Sequence, residues 1–487
     1  MRKEFFRIRK VTRKWDRAAG KFYYNIRFKT RTEITPRTIA VAEAFGLGVD
    51  EYQEHVVYDN VEFKIGPKDI VLITGESGSG KSVLLRALEK DLGPQAINIV
   101  DVKVDPEKPL IDTVGKSLEE GLELLSRVGL NDAFLFVRRY SQLSDGQKYR
   151  YRIAKLIEES GKQFWIMDEF CATLDRDTAK IVAFNVQKLA RQEGRAVLAA
   201  TTHEDLFEDL RPSVYVRKGF GKNIEVKYFP NKMNRECLLL KEIRIEKGSR
   251  EDYKVLANFH YRSHHVGPIR KVFRALKGDE ICGVIVYTYS SMAVAGRRKV
   301  LPKMKVSEVN EKLSNIMRVV VHPKYRTIGL GQKLVRETLQ KCGTPYVETT
   351  AVMARYNPFF ERAGLTKILE VAPSKQALAI RETLANLGFN ITLLGSEKYT
   401  ISKLKQLTKP ELSLIRQAFI KNAHQRFLKE FSDDPYGGKR ELYNKNIQTA
   451  SLEKLAKLIH VTALLLQTKV YLFWKMPAIP KNKSRHD

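Results

Sequence analysis

Val71-Leu-Ile-Thr-Gly75-Glu-Ser-Gly-Ser-Gly-Lys81-Ser82 is the stretch on which the fold turns. The apolar run at its start reads as a buried strand, and the run VLLRALEK behind Ser82 reads as a helix. Between them lies a loop of the form GxxxxGKS, in the strand–loop–helix context that a triphosphate cradle requires. Gly75, Gly78 and Gly80 allow the backbone N–H groups around Glu76, Ser77 and Ser79 to converge on phosphate oxygens. The helix N-terminus adds its dipole. Lys81 is placed to reach the outer phosphates and Ser82 to hold magnesium.

Four further motifs follow in order. Leu143-Ser144-Asp145-Gly146-Gln147 precedes a helical run, and Phe164-Trp-Ile-Met-Asp168-Glu169 is an apolar strand ending in two acids. Thr173-Leu-Asp175 lies in a short loop, and Ala196-Val-Leu-Ala-Ala-Thr-Thr-His203 is another apolar strand ending in histidine. The series resembles the signature motif, Walker B, D-loop and switch histidine of ABC ATPases, over roughly residues 50–230. That resemblance implies ATP with Mg2+. Asp168 would support the metal with Ser82, Glu169 would activate the attacking water and His203 would sense the γ-phosphate. Ser144, with Gly146 and Gln147, would contact the nucleotide of a second subunit, Asp175 would serve the D-loop, and Tyr52 would face the adenine. It also implies a homodimer formed head to tail through the ATPase units. Asp145 departs from the family's first signature glycine, and Gln95 is only a candidate for the Q-loop. The segment between Lys81 and Leu143 is shorter than in transporter ATPases, which argues against a transporter partner.

Composition argues against bulk disorder. The chain has 487 residues, 43% hydrophobic and 29% charged, an ordinary globular balance. Its 86 Lys and Arg against 56 Asp and Glu leave a net charge of +30, which predicts a polyanionic partner, nucleic acid or an anionic membrane surface. In the leading expectation that partner is nucleic acid, RNA favoured over DNA. Four scattered cysteines with no CxxC exclude a disulfide framework and a zinc ribbon. No apolar run is long enough to span a bilayer, and the basic N-terminus has no apolar stretch behind it, so a cytoplasmic protein without a membrane partner is expected. Residues 1–37 carry thirteen Lys or Arg and three acids, interleaved with aromatics around Gly20-Lys21. They read as a basic β-hairpin offering charges and rings to phosphates and bases.

A second α/β pattern begins after PNKMNREC. Asn315-Ile-Met-Arg-Val319-Val-Val321-His322 is strand-like and leads through Arg326-Thr327-Ile328-Gly329-Leu330-Gly331 into the helical run QKLVRETLQKC. The sequence R-x-x-G-x-G at a helix start is again a phosphate cradle. With the run Asn357-Pro-Phe-Phe360-Glu-Arg-Ala-Gly364 it resembles the acyl-CoA motifs of GNAT acetyltransferases. That resemblance implies an acetyl-CoA site formed by Val319, Val321, Arg326 to Gly331, Asn357 and Phe360. GNAT enzymes often use a tyrosine as thiolate acid where this chain has Phe360, so Tyr356 is the substitute candidate. Glu348, Glu280, His260, His264 and His265 are candidate bases.

The expected fold is therefore α/β, with a basic β-rich arm over 1–45, a P-loop ABC-type nucleotide-binding domain over 46–230 and a GNAT α+β domain over 231–371. A mostly helical basic region over 372–487 returns a last strand, VYLFW, to the second sheet. The arrangement resembles ABC-type ATPases fused to predicted acetyltransferases in archaea and some phages. The leading expectation is ATP hydrolysis coupled to N-acetyl transfer on or beside nucleic acid. The alternative is an ATP-gated nucleic-acid clamp whose GNAT domain is inactive or only senses acyl-CoA.

Overall fold

A computed structural model describes the chain except residues 1–5, 31–33, 47, 49–52, 131, 160, 261–265, 356, 432–438 and 478–487. Contacts divide it into two compact units, residues 1–288 with 317–341, and residues 289–316 with 342–487. The described strands form three sheets.

The first sheet is an antiparallel meander of β1 (Phe6–Asp16), β2 (Lys21–Thr30) and β3 (Gln53–Lys64). The hairpin closes at Gly20 with Asp16 opposite Lys21. Alternation along β2 sends Phe22, Tyr24 and Ile26 to one face, where they are buried with Tyr58 and Phe63 of β3. Trp15 stacks on Phe22 with ring centroids 5.4 Å apart. The hydroxyl of Tyr24 donates to Asp91 at 2.8 Å. This corrects the sequence expectation: these β2 aromatics are core, and are not offered to nucleic-acid bases. The alternating pattern announces a buried face and is silent about what covers it.

The second sheet runs β5 (Ala96–Asn98), β6 (Phe164–Met167), β7 (Ala196–Ala200), β4 (Ile70–Gly75), β8 (Val214–Lys218) and β9 (Ile224–Tyr228), parallel except for the last pair. Its central strands are continuous apolar runs because both faces are covered. Ile70 and Leu72 of β4 point into one core, beside helices Leu118–Arg127, Asp145–Glu158 and Arg176–Gln192. Val71 and Ile73 point into the other, beside helix Lys81–Leu92 and the three-stranded sheet. Burying each such aliphatic side chain contributes about 1.5–3 kcal/mol, and this two-sided packing fixes the end of β4, from which the glycine-rich loop departs.

The third sheet has the order β10 (Ile243–Lys247), β11 (Ile269–Lys277), β12 (Glu280–Tyr289), β13 (Leu313–Val321), β14 (Tyr346–Ala351), β16 (Lys469–Lys475), β15 (Thr366–Val371). The β11–β12 hairpin turns at Gly278, with Lys277 opposite Glu280. Strands β13 and β14 pair in parallel over Leu313–Asn315 against Tyr346–Glu348. Strand β16, which contains the VYLFW run, is antiparallel to both neighbours. Between β15 and β16 the chain forms helices including Lys375–Asn386, Lys409–Lys421 and Leu452–Leu465, which share a core of their own. Ser374, Thr408 and Ser451 cap them by accepting from backbone N–H groups in the first turn.

Candidate nucleotide-binding site and second phosphate cradle

The loop after β4 has the backbone its glycines predict. Gly75 (φ 139°) and Gly80 (φ 104°) sit where side chains do not fit. A Cβ on Gly75 would lie 2.0 Å from the Lys218 carbonyl oxygen, and one on Gly80 would lie 2.4 Å from Val57 Cγ1. Two residues that sequence reasoning missed support the loop from beneath. The Tyr58 hydroxyl donates to the Gly80 carbonyl at 2.9 Å. Lys218 is buried, its ammonium 5.3 Å from the Tyr58 ring centroid and bonded to the carbonyls of Gly219 and Gly221. No local signal marks either residue, since their roles come from tertiary approach.

Lys81 is buried and donates to the carbonyls of Gly75 (2.8 Å) and Glu76 (2.7 Å). Burial lowers its pKa below the usual lysine value, with the Asp168 carboxylate opposing. Ser82 Oγ donates to Asp168 Oδ1 at 3.0 Å, which joins the helix start to the end of β6. The same carboxylate oxygen accepts from the Glu169 N–H at 3.0 Å. Glu169 is exposed and left-handed, at φ 49°. Glu76, Ser77 and Gly78 are exposed at the loop's crest. Ser79 Oγ is buried without a hydrogen-bond partner.

These residues fit ATP and magnesium. A buried hydroxyl left unpaired is costly unless something else completes it, and a phosphate oxygen would do so for Ser79. Ser82 and Asp168, already adjacent, would hold the metal, which would neutralise phosphate charge. Lys81 would exchange its carbonyl partners for phosphate, and Glu169 has a free carboxylate to orient water.

The other motif residues occupy defined places. Ser144 caps helix Asp145–Glu158 in a reciprocal capping box with Gln147, and Gly146 lies in that helix's first turn. Asp175 caps helix Arg176–Gln192, accepting from the Thr178 N–H at 3.1 Å. His203 follows β7, its N–H donating to Thr201 Oγ1 at 3.2 Å. Gln95 is in a single turn of 3-10 helix before β5. Tyr52 lies outside the described residues.

The residues expected to form a second cradle are arranged differently from expectation. Gly329 (φ 94°) is the exposed N-cap of helix Leu330–Thr338, and Gly331 is in its first turn. Arg326, expected to meet a pyrophosphate, is engaged elsewhere. Its Nη1 is 3.2 Å from Asp132 Oδ2, while Nε and Nη2 donate to the carbonyls of Val321 and Phe259. Thr327 (φ 73°) accepts from the Asn185 amide at 2.7 Å. Ile328 and Leu330 are core, and Val319 and Val321 are half-buried on β13. What the helix start offers is backbone N–H groups without a side-chain cap.

In the second unit Glu348 is not a free base. Its buried carboxylate accepts from Arg297 Nε (3.1 Å) and Nη2 (2.5 Å), from Tyr471 Oη (2.8 Å) and from Ser290 Oγ. Every lone pair is taken, which replaces the catalytic role expected of it with a structural one. Phe360 is buried against Phe359, with ring centroids 4.1 Å apart, and Asn357 is half-buried beside it. Glu280, in the first unit, accepts from Tyr325 Oη at 2.8 Å. Tyr356, His264 and His265 lie outside the described residues. Among the described residues no cluster of His, Cys, Asp and Glu could hold a metal, and no helix is long and apolar enough to cross a membrane.

Comparison with known proteins bears on the cassette. The profile of the family described as "ABC transporter" matches residues 58–172. The cytochrome c biogenesis ATP-binding export protein CcmA of Ruegeria pomeroyi is 30% identical over 169 residues, covering 31% of this chain and 79% of that protein. The ribosome protection protein VmlR of Bacillus subtilis is 27% identical over 159 residues, covering 33% of this chain and 28% of that one. Among solved structures, a dimeric bacterial ABC transporter cassette aligns with TM-score 0.30 and 17% identity, over 36% of this chain and 92% of its own. The expectation of a nucleic-acid partner, with neither membrane nor transporter partner, is corrected by the match to CcmA. The relative matched over most of its length is named as an export protein, despite the short segment between Lys81 and Leu143. Through its nucleotide-binding unit the chain belongs to the ABC transporter family of ATP-binding, ATP-hydrolysing proteins.

Proposed function

We propose that the chain joins an ABC-type ATPase to an acetyl-CoA-dependent N-acetyltransferase of the GNAT kind. The observation that carries this reading is the path of the third sheet: β13 leads to helix Leu330–Thr338 through a glycine N-cap, Gly329, that makes no side-chain cap hydrogen bond. The parallel β13–β14 pair and the insertion of β16 between β14 and β15 agree with that fold. In the reaction an amine nitrogen attacks the thioester carbonyl. The N–C bond forms, the C–S bond breaks, and coenzyme A leaves as thiolate, which takes up, directly or through water, the proton that the nitrogen sheds. With Glu348 fully hydrogen-bonded in the second unit, the reading has the amine arrive neutral and the rate rise with pH toward the amine's own pKa. All four cysteines are buried, so released thiol can be read directly with an aromatic disulfide. Amine-dependent thiol release is expected with the full chain, acetyl-CoA and a panel of primary amines, and Gly329→Asp should lower it by at least about 30-fold, because a carboxylate at the cradle repels phosphate. Absence of amine-dependent release from the native chain would overturn the reading.

A second reading is favoured by the export names of the relatives and by exposed apolar side chains on two helices, Leu118 at the start of helix Leu118–Arg127 and Phe134 and Val137 on and just after helix Ala133–Phe136. In it, the cassette docks through those side chains on a membrane-bound partner. Recovery with the membrane fraction of its host, lost on Phe134→Glu with Val137→Glu, is the expected result. Recovery unaffected by the double variant would sink this reading.

A further inference from the structure

The segment carrying Glu169 is held from both ends. At the near end is β6, with every residue buried. At the far end Asp175 caps helix Arg176–Gln192. Between them Glu169 and Cys171 are both left-handed, at φ 49° and 58°. The turn is closed by Phe170 N–H to the Ala200 carbonyl (2.7 Å), Ala172 N–H to that of Glu169 (3.0 Å) and Leu174 N–H to that of Cys171 (3.2 Å). Left-handed backbone at a non-glycine residue persists only where the surroundings over-determine it.

Part of that constraint comes from outside the cassette. Lys324, in the turn after β13, places its ammonium 3.4 Å from Asp175 Oδ1 and 3.0 Å from Asp177 Oδ2. Lys277 of β11 lies 2.5 Å from Asp177 Oδ1, and Tyr325 Oη is 3.3 Å from Asp177 Oδ2. Two turns along the same helix, Asn185 donates to Thr327. Burial would raise the Asp177 pKa, but the two ammoniums outweigh it and hold the carboxyl below the usual range.

We propose that Lys324 is a positioning residue for ATP hydrolysis: by clamping Asp175 and Asp177 it fixes the strained segment from Glu169 to Asp175, and so keeps the Glu169 carboxylate in place.

The test uses the full chain and its Lys324→Gln, Lys324→Arg and Lys227→Gln variants. Lys227 pairs with Glu225 on exposed β9 and serves as a control. Lys324→Gln is expected to lower kcat for ATP about three- to tenfold with KM changed by less than about twofold, while Lys324→Arg regains most of the loss. Hydrogen exchange should quicken over 169–175 and stay unchanged in β11 and β12, with Tm within about 2 °C of the native chain. An unchanged kcat would overturn the proposal. So would a lower kcat without faster exchange over 169–175, or a loss matched by a fall in Tm and not rescued by arginine.

Discussion

Glu169→Gln is expected to leave ATP binding within about twofold of the native chain while lowering hydrolysis by at least about 100-fold. The neighbouring acid explains why the two effects separate. Asp168 already accepts from Ser82 and from the Glu169 N–H, so it belongs to the metal and loop side of the site. The Glu169 side chain is exposed beyond it and makes no contribution to the loop that cradles phosphate. Replacing its carboxylate with an amide removes a proton acceptor and preserves shape. Equilibrium binding of labelled ATP, set beside steady-state phosphate release, reads both numbers. Loss of binding in proportion to loss of turnover would show that Glu169 is structural.

The second large effect concerns Arg297→Met. Arg297 and Glu348 are 6% and 1% exposed, so removing the arginine leaves a carboxylate with no countercharge in the interior. A cost of about 3–5 kcal/mol is expected, because an uncompensated buried charge is far worse than none. Tyr471 and Ser290 still donate to Glu348, which limits the loss without balancing the charge. The double variant Arg297→Met with Glu348→Leu should recover most of the stability, since a shape-matched apolar pair substitutes well for a buried ion pair. Hydrogen exchange of the β14 and β16 amides reports this locally, which suits a chain of two units. Equal protection in the native chain and the single variant would mean the pair is already hydrated.

These cases show which features the sequence could disclose. The P-loop was legible because its working parts are adjacent along the chain: an apolar strand, three glycines with left-handed φ, Lys81 and Ser82. Asp168 and Glu169 were legible for the same reason, as acids ending a buried strand. Tyr58 and Lys218 were not, because each acquires its role by approaching Gly80 or Gly75 from a different strand. Arg326 was assigned to phosphate by its place in R-x-x-G-x-G. Its partner Asp132 lies 194 residues earlier, beyond any local pattern. Glu348 shows the same limit, since its partners come from residues 290, 297 and 471. Spacing predicts a loop's backbone, while the partners of a long charged side chain are set by what the fold brings near.

One binding measurement tests the glycine-rich loop and the proposed acetyl-CoA site at Gly329 together. Equilibrium dialysis of labelled acetyl-CoA against the native chain, Lys81→Ala and Gly329→Asp separates the sites. One saturable acetyl-CoA site per chain, kept in Lys81→Ala and lost in Gly329→Asp, is the predicted result. No saturable binding by the native chain, or loss in Lys81→Ala with Gly329→Asp unaffected, would contradict it.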